Sequence, residues 1–355
     1  MDSHNQLFSL SSLSLVLLLL SGHMELQLVE GRWQRHEKNY SPKMLFVFGD
    51  SYVDTGNTRM TDQPGSWKNP YGLTFPGKPA GRFSNGRVLT DYIAEYLGLK
   101  SPAPYKFRKL MQQKLENGMN FAYGGTGVFD TFSQNPNMTI QIDFFNQLIK
   151  ENVYTTSDLY DSVAYVSVSG NDYAFYSIRN GSFEGFPAFI GSVVSQTVTN
   201  LVRIQRLGVR KIVVGGLHPT GCVPASTASY SYQQCNSTFN DLALLHNNLL
   251  NQAVTKLNRQ SKDNSTFVVV DLYDSFMSVL NHPSTNNIKE PFKPCCVGVG
   301  REYNCGSVEN NVNKYTVCES PTSAFFWDLL HPSQAGWHAV YNKLQKMSAL
   351  RQLRY

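Results

Sequence analysis

Long apolar runs are scarce in this chain of 355 residues. The strongest, LSLVLLLL at positions 13–20, falls well short of the roughly 20 apolar residues that span a bilayer, so no membrane-crossing helix is expected. Blocks of basic residues are missing too. The 31 Lys and Arg are scattered against 26 acidic residues for a net charge of +5, which excludes the concentrated positive face of a nucleic-acid binder. There is no C-x-x-C with a matching second pair, so a structural zinc site is excluded. A glycine-rich stretch, GGTGV, follows a strand-like run, but the full G-x-G-x-x-G with an acidic residue about 20 positions on is lacking, which removes a dinucleotide site. The strained nucleophile elbow G-x-S-x-G is absent, which argues against the α/β-hydrolase fold. No internal repeat or long low-complexity segment is present.

What the amino end does contain is the pattern of a secretory leader. Residues 1–31 carry the apolar run and end at Val29-Glu30-Gly31, the best small-residue cleavage site, while departing from the usual leader in having no Lys or Arg before the apolar run and no A-x-A after it. Residues 1–31 are therefore expected to be a signal peptide and 32–355 the mature chain. Five N-x-[ST] sequons, at Asn39, Asn137, Asn180, Asn236 and Asn264, point to N-glycosylation at some of them. Six cysteines form an even set with short spacings, as disulfides in an oxidising compartment do. Cys222 with Cys235 is the favoured local pair, leaving Cys295, Cys296, Cys305 and Cys318 to pair among themselves. Together these features predict a secreted, extracellular glycoprotein.

Within the mature chain, strand-like runs alternate with helical periodicity. MLFVF (44–48), MNFAY (119–123), SVAYVSVSG (162–170), KIVVGGL (211–217) and TFVVVDLY (266–273) read as strands; 87–98, 139–152, 189–208, 237–260 and 333–347 read as helices. Continuous Val/Ile-rich strands separated by helices predict a five-stranded parallel sheet covered on both faces, in a single domain. Residues 275–326 have little periodicity and hold four cysteines, and they are expected to form a disulfide-stapled excursion from that domain.

An open parallel sheet binds ligands beyond the carboxyl ends of its strands. The residues found there are GDS after the first strand, GGTG after the second, SGND after the third and GGLHPTG after the fourth. Ser51, in FVFGDSYVDTGN (46–57), is a candidate nucleophile, and a serine hydroxyl needs a histidine base and a carboxylate to orient that base. In FWDLLHPSQAGW (326–337), Asp328 precedes His331 by three residues, a spacing that puts both on one side of a helical turn. Acyl transfer also needs donors for the developing oxyanion. The backbone N–H of Ser51, an N–H of Gly124 or Gly125, and the Asn171 amide are the available sources. His338 reads as a packed or solvated helix residue and His218 as a loop residue. Asn120, Asp172 and Asp54 read as loop or cap residues, and Asp50 as shaping the turn.

These blocks resemble those of the plant-type GDSL (SGNH-superfamily) esterases/lipases. FVFGDSYVDTGN is similar to the family's nucleophile block, NFAYGGTG to its glycine block, VSVSGND to its asparagine block and FWDLLHPS to its Asp–His block; the likeness extends over almost the whole mature chain. The resemblance implies a three-layer α/β/α flavodoxin-like SGNH hydrolase fold. It implies Ser51 as nucleophile, His331 as base and Asp328 as its orienter, with Ser51, Gly124 and Asn171 forming the oxyanion hole and Gly125 as the alternative glycine. Tyr52 stands where leucine names the family, Tyr123 where serine is usual, His218 where proline is common and Ser333 where threonine is usual. The expected activity is hydrolysis of a small-molecule or lipid carboxylic ester through an acyl-enzyme, with no metal or organic cofactor. An acyltransferase using the same acyl-enzyme and a non-catalytic binding protein on this fold are the alternatives.

Overall fold

A computed structural model describes residues 41–354 apart from 62–64, 111, 169 and 262–265. The leader expected over 1–31 and the sequons at Asn39 and Asn264 lie outside the described residues. Six strands form the main sheet: β1 (Met44–Gly49), β2 (Ala103–Pro104), β3 (Gly118–Asn120), β4 (Ser162–Ser167), β5 (Lys211–Gly215) and β6 (Phe267–Val270). They are ordered β2-β3-β1-β4-β5-β6, and every neighbouring pair is parallel. The sixth strand, absent from the sequence reading, is the two-residue edge β2. Its Pro104 cannot donate to a ladder, which an edge position tolerates.

Seven helices of eight residues or more are described: α1 (Leu89–Tyr96), α2 (Met138–Lys150), α3 (Gly170–Ile178), α4 (Phe186–Arg206), α5 (Ser237–Gln260), α6 (Leu272–Leu280) and α7 (Gln334–Leu344). Side chains alternate across each strand and so feed two cores. Leu45, Val47, Val163, Tyr165 and Val213 pack with Ile93 of α1, Phe276 of α6 and Trp337 of α7. Phe46, Phe48, Ala164, Val166 and Ile212 face the other way, onto Phe145 of α2, Ile190 and Leu201 of α4, and Leu250 of α5. The result is the three-layer α/β/α fold expected. Each of these large side chains, withdrawn from water, stabilises it by about 1.5–3 kcal/mol.

Helix starts follow the sequence chemistry. Asn137, Asn236, Asp271 and Ser333 are N-caps whose side chains accept the N–H of Ile140, Phe239, Asp274 and Gly336. The Asp271 cap also explains a difference: the strand read over 266–273 stops at Val270, because Asp271 turns the chain into α6. The sequence reading placed no helix at 170–178, where Asp172 is the one fully buried residue of α3 and only the half-buried Tyr173 and Tyr176 pack onto the core.

Three disulfides join Cys222 to Cys235, Cys295 to Cys318 and Cys296 to Cys305, so the second group does pair within itself. Cys295, Cys296 and Cys305 pack with Tyr71, Ala324 and Trp327 in a small third core. There the N–H of Cys295 donates to the Phe326 carbonyl at 3.1 Å and the N–H of Cys296 to the Trp327 carbonyl at 2.6 Å. This stapled segment supports the strand-and-bend that leads to Asp328 and His331.

Candidate active site

Strand β1 ends at Gly49, whose φ of +143° lies in the region glycine favours, and where a side chain would collide with the Ser167 carbonyl. Buried Gln141, from α2, satisfies the strand end from both sides: its Oε1 accepts the Gly49 N–H at 2.8 Å and its Nε2 donates to the Gly49 carbonyl at 2.9 Å. The chain then turns, with the N–H groups of Val53 and Asp54 donating to the Asp50 carbonyl. Ser51 sits on this turn, at the carboxyl edge of the sheet next to the β1/β4 boundary where the strand order reverses.

Two segments 280 residues apart meet here. Ser51 Oγ lies 2.8 Å from His331 Nε2, and His331 Nδ1 lies 2.9 Å from both carboxylate oxygens of Asp328. All three residues are buried. Asp328 and His331 occupy a bend between the strand-like Ala324–Phe326 and α7 rather than the helical turn expected. The bend is stabilised by the carboxylate itself, since Asp328 Oδ1 accepts the N–H of Leu330 and of His331, each at 2.8 Å. Asp328 Oδ2 accepts the Tyr71 hydroxyl at 2.7 Å. Burial pushes the Asp328 carboxyl up, but the His331 charge and these hydrogen bonds outweigh it and hold the group below its ordinary value. With Asp328 accepting at Nδ1–H, His331 keeps Nε2 as an acceptor for the Ser51 hydroxyl.

The three donor sources gather around the same cavity, of about 1070 Å³, lined by Ser51, Gly124, Gly125, Asn171, His218 and His331 among others. The Ser51 N–H and the Gly125 N–H make no hydrogen bond among the described residues. The Gly124 N–H does: it donates to Thr58 Oγ1 at 2.7 Å and to Asp54 Oδ2 at 3.1 Å. The Gly124 N–H is thus occupied, whereas that of Gly125, the alternative, is not. Asn171, in the first turn of α3, spends one amide hydrogen on the Thr126 carbonyl at 2.9 Å and keeps the other.

Asp54 explains much of the DTGN sequence. Besides Gly124 and the Thr58 hydroxyl, its carboxylate takes the N–H of Gly56, Asn57 and Thr58. The Asn57 amide then donates to the carbonyls of Asn120 and Ala122, tying the serine turn to the glycine block. Asn120 returns a bond to the Val53 carbonyl, and Asp172 accepts the N–H of Val128 and Phe129. Asp50 accepts the Tyr52 N–H at 3.1 Å; chiefly through burial, its carboxyl is pushed up to about 7.

Two of the departures from the family pattern touch one another. The Tyr52 hydroxyl is 2.9 Å from His218 Nε2 and donates to the Leu330 carbonyl at 2.9 Å, immediately before His331. Tyr71 and Gln141 are the functional neighbours that the sequence reading missed. The N-P-Y of the polar loop and a lone glutamine on an apolar helix face were the signals available.

A parallel sheet with a serine, a histidine and an aspartate gathered at its carboxyl edge is an arrangement suited to a hydrolase acting on ester bonds. The chain belongs to the GDSL-like lipase/acylhydrolase family, which it matches over residues 45–344. It is similar to a GDSL esterase/lipase of Arabidopsis thaliana at 52% identity, with 98% of each chain covered. A second Arabidopsis thaliana GDSL esterase/lipase is 49% identical over 87% of this chain and 89% of that protein. Among solved structures it is similar to a catalytic mutant of an acetylxylan esterase from Geobacillus stearothermophilus, with a TM-score of 0.41, 14% identity, and 90% of this chain and 97% of that chain covered.

Proposed function

We propose that this protein is a secreted serine esterase that cleaves carboxylic esters through an acyl-enzyme on Ser51. The observation that carries the reading is the unbroken hydrogen-bond chain from Ser51 Oγ through the His331 ring to Asp328, at 2.8 and 2.9 Å. In this mechanism Ser51 Oγ attacks the ester carbonyl while its proton passes to His331 Nε2. Asp328 holds the Nδ1–H and stabilises the imidazolium. The oxyanion is received by the N–H groups of Ser51 and Gly125 and by the Asn171 amide, which meet the charge without reorganising. His331 gives its proton to the leaving alcohol, and the acyl-Ser51 ester is then hydrolysed by water that His331 deprotonates.

Several features support the wider reading. Phe186, Leu242, Leu272 and Val223 line the cavity, which suits an apolar acyl portion. Three disulfides fit an oxidising compartment. Among the described residues no helix is long and apolar enough to cross a membrane. Of the sequons in the described residues, Asn180 is the exposed one, whereas Asn137 and Asn236 serve as helix caps, so Asn180 is where a glycan fits best. The test is hydrolysis of a short-chain p-nitrophenyl ester. Ser51→Ala should lower kcat by at least about a thousandfold with the circular dichroism spectrum unchanged; undiminished turnover contradicts the mechanism.

A further inference from the structure

We infer that His218 is a specificity residue that offers a bare imidazole Nδ1 to the substrate cavity and so favours esters carrying a hydroxyl near the scissile carbonyl. The inference rests on the serine-esterase reading above and concerns the choice of substrate, not the acyl-transfer step.

The tautomer of His218 follows from counting protons. The Tyr52 hydroxyl has one hydrogen and two partners, each at 2.9 Å: the Leu330 carbonyl and His218 Nε2. A carbonyl can only accept, so the hydrogen goes to Leu330 and the phenol oxygen accepts from His218 Nε2–H. That leaves the lone pair on Nδ1. Burial and the nearby His331 charge hold the His218 ring down to about 3, so it stays neutral.

The ring is also fixed in place. It packs against Tyr52 with centroids 4.7 Å apart and against Phe276 with centroids 5.6 Å apart. Among the described residues Nδ1 has no donor and is not a sealed, unpartnered atom, and His218 lines the cavity that also holds Ser51 and His331. The cavity lining is partly apolar, with Leu217, Val223 and Leu272. An acceptor in such a wall is satisfied by water or by a ligand donor, and an ester that displaces the water without replacing its hydrogen bond loses affinity. A simple ester has no donor. The hydroxyl must come from the rest of the substrate, as in a monoester of a polyol or an ester of a hydroxy acid. Tyr52 and His218, two positions where the chain leaves the family pattern, thereby act as one unit.

The experiment compares kcat/KM within two matched pairs: glycerol monobutyrate against propyl butyrate, and ethyl 3-hydroxybutyrate against ethyl butyrate. The unsubstituted protein, His218→Leu, His218→Gln and Tyr52→Phe are assayed, with folding checked by circular dichroism. The unsubstituted protein is expected to favour the hydroxylated ester about fivefold to tenfold in at least one pair, beyond the ratio in His218→Leu. His218→Gln retains a donor for Tyr52 and an acceptor for substrate and should keep most of that preference. Tyr52→Phe releases the tautomer and should lower it. The ratio cancels general damage to turnover. Equal ratios in the unsubstituted protein and His218→Leu overturn the proposal; if His218→Leu does not fold, an unchanged ratio in Tyr52→Phe overturns it. Failure of the folded protein to cleave any ester would instead defeat the serine-esterase reading, and this proposal with it.

Discussion

Tyr71 and Asp328, 257 residues apart, share a 2.7 Å hydrogen bond from the phenol hydroxyl to the carboxylate Oδ2. Asp328 uses its other oxygen for the N–H groups of Leu330 and His331. Tyr71 is therefore the group that controls whether Oδ2 stays aligned with His331 Nδ1. A hydrogen bond to a charged group contributes about 1.5–3 kcal/mol. Tyr71→Phe should lower kcat on the order of tenfold with KM unchanged, because the loss falls on the imidazolium formed in the transition state. Steady-state kinetics on one ester checks this, and a change confined to KM would assign Tyr71 to substrate binding.

The Asp50 carboxyl, raised to about 7 chiefly by burial and opposed by the Tyr52 N–H and the His331 charge, makes stability depend on pH in a definite direction. In the unfolded chain an aspartate titrates near 4, at roughly 3.9. Between about pH 4 and 7 the folded protein keeps a proton that the unfolded chain has released, so this contribution is full at low pH and is lost as pH rises through 7. His218, lowered to about 3 by burial and the His331 charge, and His246, lowered to about 4 by burial, act in the opposite sense below about pH 6.5. Asp50→Asn isolates the first effect: relative to the unsubstituted protein, the variant should gain stability from pH 4.5 to pH 8. Urea unfolding at both values measures it, and an equal difference at the two would show that Asp50 does not titrate in this window.

The pairing of Cys295 with Cys318 closes a segment of 23 residues and lies beside the backbone bonds that hold Phe326 and Trp327. Replacing both cysteines by serine should cost about 3 kcal/mol of stability by the loop-closure argument. Turnover should also fall at temperatures where the variant remains folded, because the bend carrying Asp328 and His331 loses its support. Denaturant curves and kcat measured on the same sample separate the two effects. Full activity in the folded variant would confine the disulfide to a purely stabilising role.

What the sequence made legible follows from where the information is local. β1, β4 and β5 announce themselves as continuous apolar runs because both faces of the sheet are covered, and α5 shows its long apolar stripe. Ser51, Asp328 and His331 stand in short motifs whose chemistry is readable one segment at a time. The edge strand Ala103–Pro104 is too short for any period to register, and α3 meets the core through Tyr173 and Tyr176 alone, too few positions to show a period. Which of Gly124 and Gly125 keeps an unoccupied N–H is not legible from neighbouring glycines. It depends on Asp54 and Thr58, which reach across 70 and 66 residues to take the Gly124 N–H. Tyr71 and the Tyr52–His218 contact were hidden for the same reason, as each is a pairing between distant loops with no sequence period.

The acyl-enzyme itself gives the most direct test. The protein is mixed with p-nitrophenyl butyrate, quenched in acid during turnover and mapped by peptide mass spectrometry. The account predicts a butyryl group on Ser51, within the peptide that contains residues 46–57, and none in Ser51→Ala. Butyrylation of a different residue during turnover, or continued turnover by Ser51→Ala, would contradict it.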